Sequence, residues 1–168
     1  QVDRGLLRKA KKMLATKQTF GEEGQYTPLG WFAGTDNLDM CTALLACGAE
    51  VDELTTEHRR APLRLACEAG HEHIALLLIN HGCDIHRVDE DGGFPLIIAC
   101  ENGRAGVVAL LVEKGAKIDQ ASSEGATPLF FACQNGHVKA ATLLVDKGAK
   151  IEQANNNGTT PLFIACQE

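Results

Sequence analysis

Five prolines recur along this chain at an almost constant spacing, and that period constrains the fold more than any other feature. They are Pro28, Pro62, Pro95, Pro128 and Pro161, at intervals of 34, 33, 33 and 33 residues. Two series of glycines keep the same phase, one 20 and the other eight residues after a proline: Gly48, Gly82, Gly115 and Gly148, and Gly70, Gly103 and Gly136. A period of this length is typical of repeat proteins, in which each unit buries its apolar surface against its neighbours.

The fourth unit shows how one repeat is built. Thr127 suits a helix N-cap and Pro128 the first helical position, where an N–H is not needed. An apolar stretch follows, and Gly136 tolerates the positive φ that ends a helix. A second apolar stripe at helical spacing ends at Gly148, whereas residues 149–159 are polar and rich in turn formers. The unit is therefore predicted to contain two short helices and a loop or hairpin, and such helices need neighbours to be stable.

Each proline begins a similar run of residues. The runs are Thr27-Pro28-Leu29, Ala61-Pro62-Leu63-Arg64-Leu65-Ala66, Phe94-Pro95-Leu96-Ile97-Ile98-Ala99, Thr127-Pro128-Leu129-Phe130-Phe131-Ala132 and Thr160-Pro161-Leu162-Phe163-Ile164-Ala165. They resemble the signature of the ankyrin repeat family, whose period is about 33 residues. The resemblance covers nearly the whole chain. It implies an all-α solenoid of helix-turn-helix units joined by β-hairpin or finger loops.

By this resemblance the chain divides into six segments. We expect an N-terminal half repeat (the second helix of a capping or truncated unit) at 1–20, a degenerate first repeat at 22–55, full repeats at 56–88, 89–121 and 122–154, and a partial fifth repeat at 155–168. Within the half repeat, residues 5–14 match a second helix, and residues 1–4 would be the remnant of a first helix. Both ends are expected to be cut inside a repeat.

The residue that follows each Pro-Leu pair departs from the family pattern. Where the family usually has His, this chain has Gly30, Arg64, Ile97, Phe130 and Phe163. We therefore expect the polar tie that this His makes between repeats to be absent. The apolar members either pack into the core against the next repeat or form an apolar strip partly open to a groove, and both arrangements fit the sequence.

Other departures weaken particular repeats. Ala61 and Phe94 stand where other repeats have a Thr cap, and loss of such a cap typically costs about 1 kcal/mol of stability. The first repeat has Asp36 where later repeats have glycine, and one additional residue precedes Pro62. An irregular finger loop is therefore expected in the first repeat.

The distribution of charge limits the classes of partner. The net charge is −6, but residues 1–20 hold six basic side chains against one acidic side chain, so residues 21–168 carry −11. Nucleic-acid binding depends on neutralising phosphates with Lys and Arg, so we expect no nucleic-acid partner. No apolar run approaches the roughly 20 residues that cross a bilayer, and the N-terminus lacks the apolar core of a signal peptide. We therefore expect no membrane insertion and a location in the cytoplasm or nucleus.

The seven cysteines invite a disulfide or metal interpretation. Four of them occupy the same position of successive units: Cys67, Cys100, Cys133 and Cys166. Packed helices lie about 8 to 10 Å apart, whereas the Cα atoms of a disulfide lie within roughly 7 Å. We therefore expect these four to be small buried residues without disulfide bonds, as suits a reducing compartment.

The six histidines give no metal site by their spacing. In His71-Glu72-His73 the two rings would point to different sides of a helix, which argues against zinc. The family resemblance instead implies a structural hydrogen-bonding role for His71 and His137 at the inter-helix turn. No nucleophile elbow, phosphate loop or HExxH pattern appears. No catalytic residue, cofactor site or metal site is therefore predicted, and no enzymatic activity.

The resemblance implies a scaffold that binds a partner protein on the concave face formed by finger loops and inner helices. Carried onto this chain, the contact positions are Glu57, His58, Arg59, Arg60, Arg64, Glu68, Glu90, Asp91, Glu101, Asn102, Ser123, Glu124, Gln134 and Asn135. We expect a monomeric module. Two alternatives stay open: the substrate-targeting arm of a larger enzyme, such as a ligase or kinase, and a structural segment of a long ankyrin array.

Arginines cluster near acidic residues in the second and third repeats. Arg59, Arg60, Arg64 and Arg87 form a basic spot beside Glu90 and Asp91. Arginine is enriched among the residues that anchor interfaces, so Arg60 and Arg64 are expected to anchor a partner of mixed charge. Exposed substitutions usually change stability by less than about 0.5 kcal/mol, so replacing both by Ala is expected to leave folding nearly intact.

The spacing of the cysteines yields a first prediction. Thiol titration of the denatured protein, prepared and kept without air, should find all seven cysteines free, because the repeat period holds the main set too far apart to form bridges. The same titration after reduction is the control. A pair of thiols that becomes reactive only after reduction would contradict the prediction.

Overall fold

The structure, a computed structural model, describes residues 2–22, 25–55 and 59–167. Within these residues the chain forms ten α-helices. In chain order they are α1 (Arg4–Ala15), α2 (Pro28–Gly34), α3 (Leu38–Ala46), α4 (Pro62–Ala69), α5 (Glu72–Asn80), α6 (Pro95–Glu101), α7 (Ala105–Glu113), α8 (Pro128–Gln134), α9 (Val138–Asp146) and α10 (Pro161–Ala165).

The helices form two parallel rows. The even-numbered helices, here called the inner row, each pack on the next even-numbered helix. The odd-numbered helices pack on one another in the same way and form an outer row. The two helices of one unit also pack on each other, as α4 does on α5. Each unit therefore contacts its neighbours along the chain, and the all-α solenoid predicted from the period is confirmed.

The inner helices begin at the prolines, as predicted. Thr27, Thr127 and Thr160 each accept a hydrogen bond from the backbone N–H three residues further on, at 3.2, 3.2 and 3.1 Å. Ala61 and Phe94 precede α4 and α6 without a side-chain capping bond. The expected loss of two caps is confirmed, and both residues are instead buried apolar groups.

The outer helices end through one repeated backbone motif. After α7, Gly115 has φ +94°, and Ala116 N–H donates to the carbonyl of Leu111 at 2.9 Å. This is the bond that closes a Schellman motif, and it requires a left-handed residue. The corresponding bonds close α3, α5 and α9: Ala49 to Leu44, Cys83 to Leu78 and Ala149 to Leu144.

The loops between units are compact fingers. The third finger is closed by Asp89 N–H donating to the carbonyl of Gly93 at 2.9 Å, across four residues. In the second finger the equivalent bond joins Thr55 to Arg60 across five residues, so the additional residue lies there. The first finger, in the described residues on either side of 23–24, has an isolated antiparallel bridge between Phe20 and Tyr26.

The first repeat uses a non-glycine residue in a strained conformation. Asp36 has φ +56°, at the turn where Gly70, Gly103 and Gly136 have positive φ in later repeats. Aspartate tolerates this left-handed conformation better than most side chains, but less easily than glycine. The first repeat is therefore the most irregular in its inter-helix turn.

At the N-terminus the structure differs from the expected helix remnant. Helix α1 begins at Arg4, and the carboxylate of Asp3 caps it by accepting bonds from Gly5 N–H and Leu6 N–H at 2.8 and 3.0 Å. Val2 and Asp3 are not helical, and Gln1 lies outside the described residues. The expectation of a first-helix remnant at residues 1–4 was therefore wrong, because a short acidic side chain here starts the second helix of the unit.

The core runs along the interface of the two rows. Its largest fully buried side chains include Leu29, Leu63, Leu96 and Leu129 from the inner row and Leu44, Leu78, Leu111 and Leu144 from the outer row. Ile97 and Phe130 are 3% and 7% exposed. Of the two arrangements that fitted the sequence, these two side chains adopt core packing, while Phe163 in α10 stays 57% exposed.

The four equivalent cysteines also become more exposed toward the C-terminal end of the stack. Cys67 and Cys100 are fully buried, Cys133 is partly buried and Cys166 is exposed, and all seven cysteines are free thiols. The expectation that these four cysteines are buried was therefore wrong for Cys166 and only partly met by Cys133. Their position in the repeat is unchanged, but fewer described helices cover the end of the stack.

Two inner helices with nearly identical sequences provide a second prediction. Residues 127–134 and 160–167 differ only at Phe131 and Ile164, yet Leu129 is 2% exposed and Leu162 46% exposed. Local opening requires less free energy where fewer apolar contacts must break. Hydrogen exchange followed by mass spectrometry should therefore show amides of α10 exchanging at least about tenfold faster than those of α8. Equal protection of the two helices would contradict this.

Candidate functional site

The candidate contact positions that the structure describes define a surface on the finger loops and on the inner helices α4, α6 and α8 with the residues that directly follow them. We call it the inner face. Glu57 and His58 lie outside the described residues. The exposed members are Arg59, Glu90, Asp91, Glu101, Asn102, Ser123, Glu124, Gln134 and Asn135; Arg60 and Glu68 are half-buried, and Arg64 is buried.

Arg64 is the centre of a network of ion pairs between the second and third repeats. Its Nε pairs with Oδ2 of Asp89, its Nη1 donates to Oε2 of Glu68 at 2.8 Å, and its Nη2 lies 3.7 Å from Oδ2 of Asp91. The side chains of Arg64 and Asp89 are only 10% and 5% exposed. The Asp89 carboxylate also accepts a bond from Gly93 N–H at 2.8 Å. One guanidinium thus joins α4 to the closed third finger.

This arrangement corrects two expectations. A polar tie between repeats was expected to be absent at the position after Pro-Leu, but Arg64 makes one to Asp89, 25 residues further along the chain. Arg64 was also expected to be replaceable with little loss of stability, which assumed an exposed side chain. The side chain is only 10% exposed, so that assumption was wrong, and removing one partner of a buried ion pair leaves an uncompensated charge.

Three of the four arginines of the expected basic spot are paired with acids, whereas Nη1 of Arg87 donates to the backbone carbonyl of Asp52 at 3.1 Å. The two Nη atoms of Arg60 lie 3.8 Å from Glu68 and 3.7 Å from Asp91, and Nε of Arg59 lies 3.5 Å from Glu90. The Arg59 and Glu90 side chains are 62% and 58% exposed, so their pair contributes little stability. The inner face here has neighbouring charges of both signs.

A second set of bonds holds successive repeats together at the inter-helix turn. Nε2 of His71 lies 3.3 Å from the carbonyl oxygen of Gly34, and Nε2 of His137 lies 2.9 Å from that of Glu101. A carbonyl only accepts, so Nε2 is the donor in both imidazoles. At the equivalent position of the third repeat, Arg104 donates its Nε to the carbonyl of Glu68 at 3.0 Å. The structural role expected for the two histidines is confirmed.

Two cavities open on the inner face. The first, of about 400 Å³, is bordered by Trp31, Arg60, Leu65 and Glu68 between the first and second repeats. The second, of about 340 Å³, lies between the third and fourth fingers and includes Asp91, Glu101, Ser123 and Glu124. Both volumes fall in the range of ligand-binding pockets. Several candidate residues are therefore brought together in hollows, whereas Gln134 and Asn135 stand exposed at the end of α8.

The aromatic residues of the first cavity were not among the contact positions predicted from the sequence. Tyr26 and Trp31 line it, and Arg104 reaches it from the third repeat. Trp31 is the only tryptophan and Tyr26 the only tyrosine of the chain, and these unique residues were the available signal. Tyrosine, tryptophan and arginine are the side chains most enriched at interface anchors.

The buried cysteines do not provide a nucleophile. Burial raises the pKa of the Cys41 thiol to about 12, with a further contribution from the Asp36 carboxylate. Burial also raises the pKa values of Cys67 and Cys100 far above the usual range. The reactive form of cysteine is the thiolate, so these thiols are inert at neutral pH. Within residues 2–22, 25–55 and 59–167, no group of three His, Cys, Asp or Glu side chains could hold a metal ion.

In a comparison with known protein families, one family model matches the chain. A family model described as ankyrin repeats (three copies) matches residues 4–89, 29–122 and 96–168, which together include nearly the whole chain. No curated protein matches the chain significantly. None of the helices in the described part of the chain is long and apolar enough to span a membrane.

The buried pair gives a third prediction. Arg64→Ala should lower the free energy of unfolding by about 3 to 5 kcal/mol, because the Asp89 carboxylate stays buried without its cation. Urea denaturation followed by circular dichroism measures this. The double variant Arg64→Met/Asp89→Asn, which removes both charges, should lower the free energy of unfolding much less.

Arg59→Ala is the matched control for that experiment. The Arg59 pair is exposed, so its loss should change the free energy of unfolding by less than about 1 kcal/mol. Equal urea midpoints for Arg64→Ala and Arg59→Ala would show that the buried pair does not join the repeats.

Proposed function

Because the chain belongs to the ankyrin repeat family, we propose that it is a protein-interaction module that holds a partner protein on its inner face. Ankyrin repeats generally serve as protein-binding modules. In this proposal the chain supplies a shaped surface and carries out no chemistry of its own.

One observation carries the proposal: the inner helices are buried where they begin and exposed where they end. The leucine after each proline from α2 to α8 is at most 2% exposed. The ends of α6 and α8 present Glu101 and Gln134 to solvent. Residues that set stability are thus separated from residues that can contact a ligand, and this separation lets a solenoid vary its binding surface without losing its fold.

The rigidity of the inner face also supports binding. The turns bearing His71, Arg104 and His137 are each bonded to the preceding repeat, and Arg64 bonds the third finger to α4. A surface already held in its bound geometry loses less conformational entropy when a partner docks. We therefore assign Arg64 a positioning role and not a direct contact.

The proposed contact residues are those of the inner face that keep exposed surface. They are Arg59, Arg60, Glu68, Glu90, Asp91, Glu101, Asn102, Ser123, Glu124, Gln134 and Asn135. The alternating charges of the second and third repeats favour a partner that also carries both signs. Seven free thiols suit a reducing compartment, so we place the module in the cytoplasm or nucleus.

The proposal predicts that two identical substitutions in the third repeat differ in effect. Glu101→Lys changes the inner face, and Glu113→Lys changes the end of the outer helix α7; both glutamates are exposed. A partner is first captured from cell lysate with the wild-type chain, and its affinity for each variant is then measured by isothermal calorimetry. Glu101→Lys should weaken binding by about 1 kcal/mol or more, and Glu113→Lys should leave it nearly unchanged.

Thermal melting of both variants serves as the control for folding, because exposed substitutions seldom alter stability by more than about 0.5 kcal/mol. Equal affinities of the two variants, with equal melting curves, would move the binding site away from the inner face.

A further inference from the structure

Helix α2 lacks side chains at two positions, one helical turn apart, that every other full inner helix fills. Its residues are Gly30 and Gly34. The equivalent pairs are Arg64 and Glu68 in α4, Ile97 and Glu101 in α6, and Phe130 and Gln134 in α8. In those helices the first member of the pair is buried against its neighbours. The glycine pair therefore leaves open a space that side chains occupy elsewhere in the stack.

The first cavity, of about 400 Å³, lies in this space. A Cβ atom at residue 34 would meet only Leu65 Cβ, at an ordinary contact distance of 3.7 Å. A Cβ atom at residue 30 would lie 3.1 Å from Thr27 Oγ1 and 3.3 Å from Leu65 Cδ1, which is tight. Residue 34 can thus accept a side chain without disturbing the backbone, and that side chain would take up cavity space.

One wall of the cavity is aromatic. The ring of Trp31 stacks on Phe20 with centroids 5.8 Å apart, and it meets the edge of Tyr26 at 5.7 Å. Aromatic rings packed in this way form a stiff apolar surface. A ligand group beside Trp31 would therefore have an apolar stem.

The same cavity is also bordered by two arginines whose hydrogen-bond donors are not all used. The Nη atoms of Arg60 lie 3.8 and 3.7 Å from Glu68 and Asp91, beyond hydrogen-bond distance, and its buried Nε has no hydrogen-bond partner among the described residues. Arg104 uses its Nε on the Glu68 carbonyl, and its Nη atoms make no hydrogen bond to the described part of the chain. The Glu68 carboxylate already accepts from Arg64. Unpaired guanidinium donors beside a satisfied carboxylate favour an anionic acceptor over a cation.

We propose that the first cavity receives one carboxylate side chain from an extended segment of the partner, with its apolar stem against Trp31 and its carboxylate at Arg60 and Arg104. This inference rests on the proposed function and names the chemistry of its partner. The ligand is taken to be a chain segment because the second cavity lies near the first along α4: Glu68 borders the first cavity, and Arg64, one turn earlier, borders the second.

The test uses a random peptide library displayed on phage and selected on the immobilised full chain. Selected peptides are then synthesised without tryptophan and titrated, so that the fluorescence of Trp31, the only tryptophan of the chain, reports occupation of the cavity. The expected consensus is Glu or Asp beside an apolar residue. Changing that acid to its amide in the peptide should weaken binding about tenfold or more.

Two variants locate the site. Gly34→Gln introduces the side chain that Gln134 has at the equivalent position, and it should weaken binding about tenfold or more by filling the cavity. Ala46→Gln adds the same side chain at an exposed position of the outer helix in the same repeat and should change affinity by less than about twofold. Arg60→Gln should weaken binding of the carboxylate peptide but not of its amide analogue. A general disturbance of the fold would weaken the binding of both peptides.

The outcomes separate this inference from the proposed function. A consensus of Lys or Arg, or the absence of any selected peptide, would overturn the inference. Peptides whose affinity for Gly34→Gln and Arg60→Gln equals that for the wild type, but falls for Glu101→Lys, would overturn the inference. The inner face would remain the binding surface in that case. Peptides insensitive to all three variants would contradict both.

Discussion

Packing of each repeat against the next is the constraint on which the rest of this structure depends. Its helices are five to twelve residues long, and isolated helices of that length are marginal in water. Buried leucines such as Leu63 and Leu111 stabilise the fold because α4 and α7 each have a neighbouring helix of the same row on both sides. Exposure therefore rises wherever the stack provides less cover, as it does at Leu162 in α10.

The same constraint explains why polar groups are used at the junctions. Two stacked repeats must keep their register, and apolar contacts alone are not directional. Directional bonds occur at both junctions of the second repeat, from His71 to the Gly34 carbonyl and from Arg64 to Asp89. A buried ion pair is a poor source of net stability but a good determinant of geometry. We infer that Arg64 mainly specifies where the third finger lies.

Much of the architecture could be predicted because its signals are local. The start of a helix at Pro128 and the turn after α7 depend on backbone preferences within a few residues. The contact face could be predicted only as a set of positions. Arg64 was expected to be exposed, since nothing near it in sequence indicates that Asp89, and not Glu90 or Asp91, would share its burial.

The period, the two helices of each repeat, the missing caps and the lack of recognisable catalytic motifs follow from the amino-acid sequence alone, because they are properties of a single unit. Three features became visible only in the folded stack: which side chains of the inner row are covered, how the charges pair, and the cavity that lies beside Trp31 and the two glycines of α2. Those features depend on contacts between atoms of adjacent repeats, which form only when the repeats stack. The spacing of residues along the sequence does not specify the distances between those atoms.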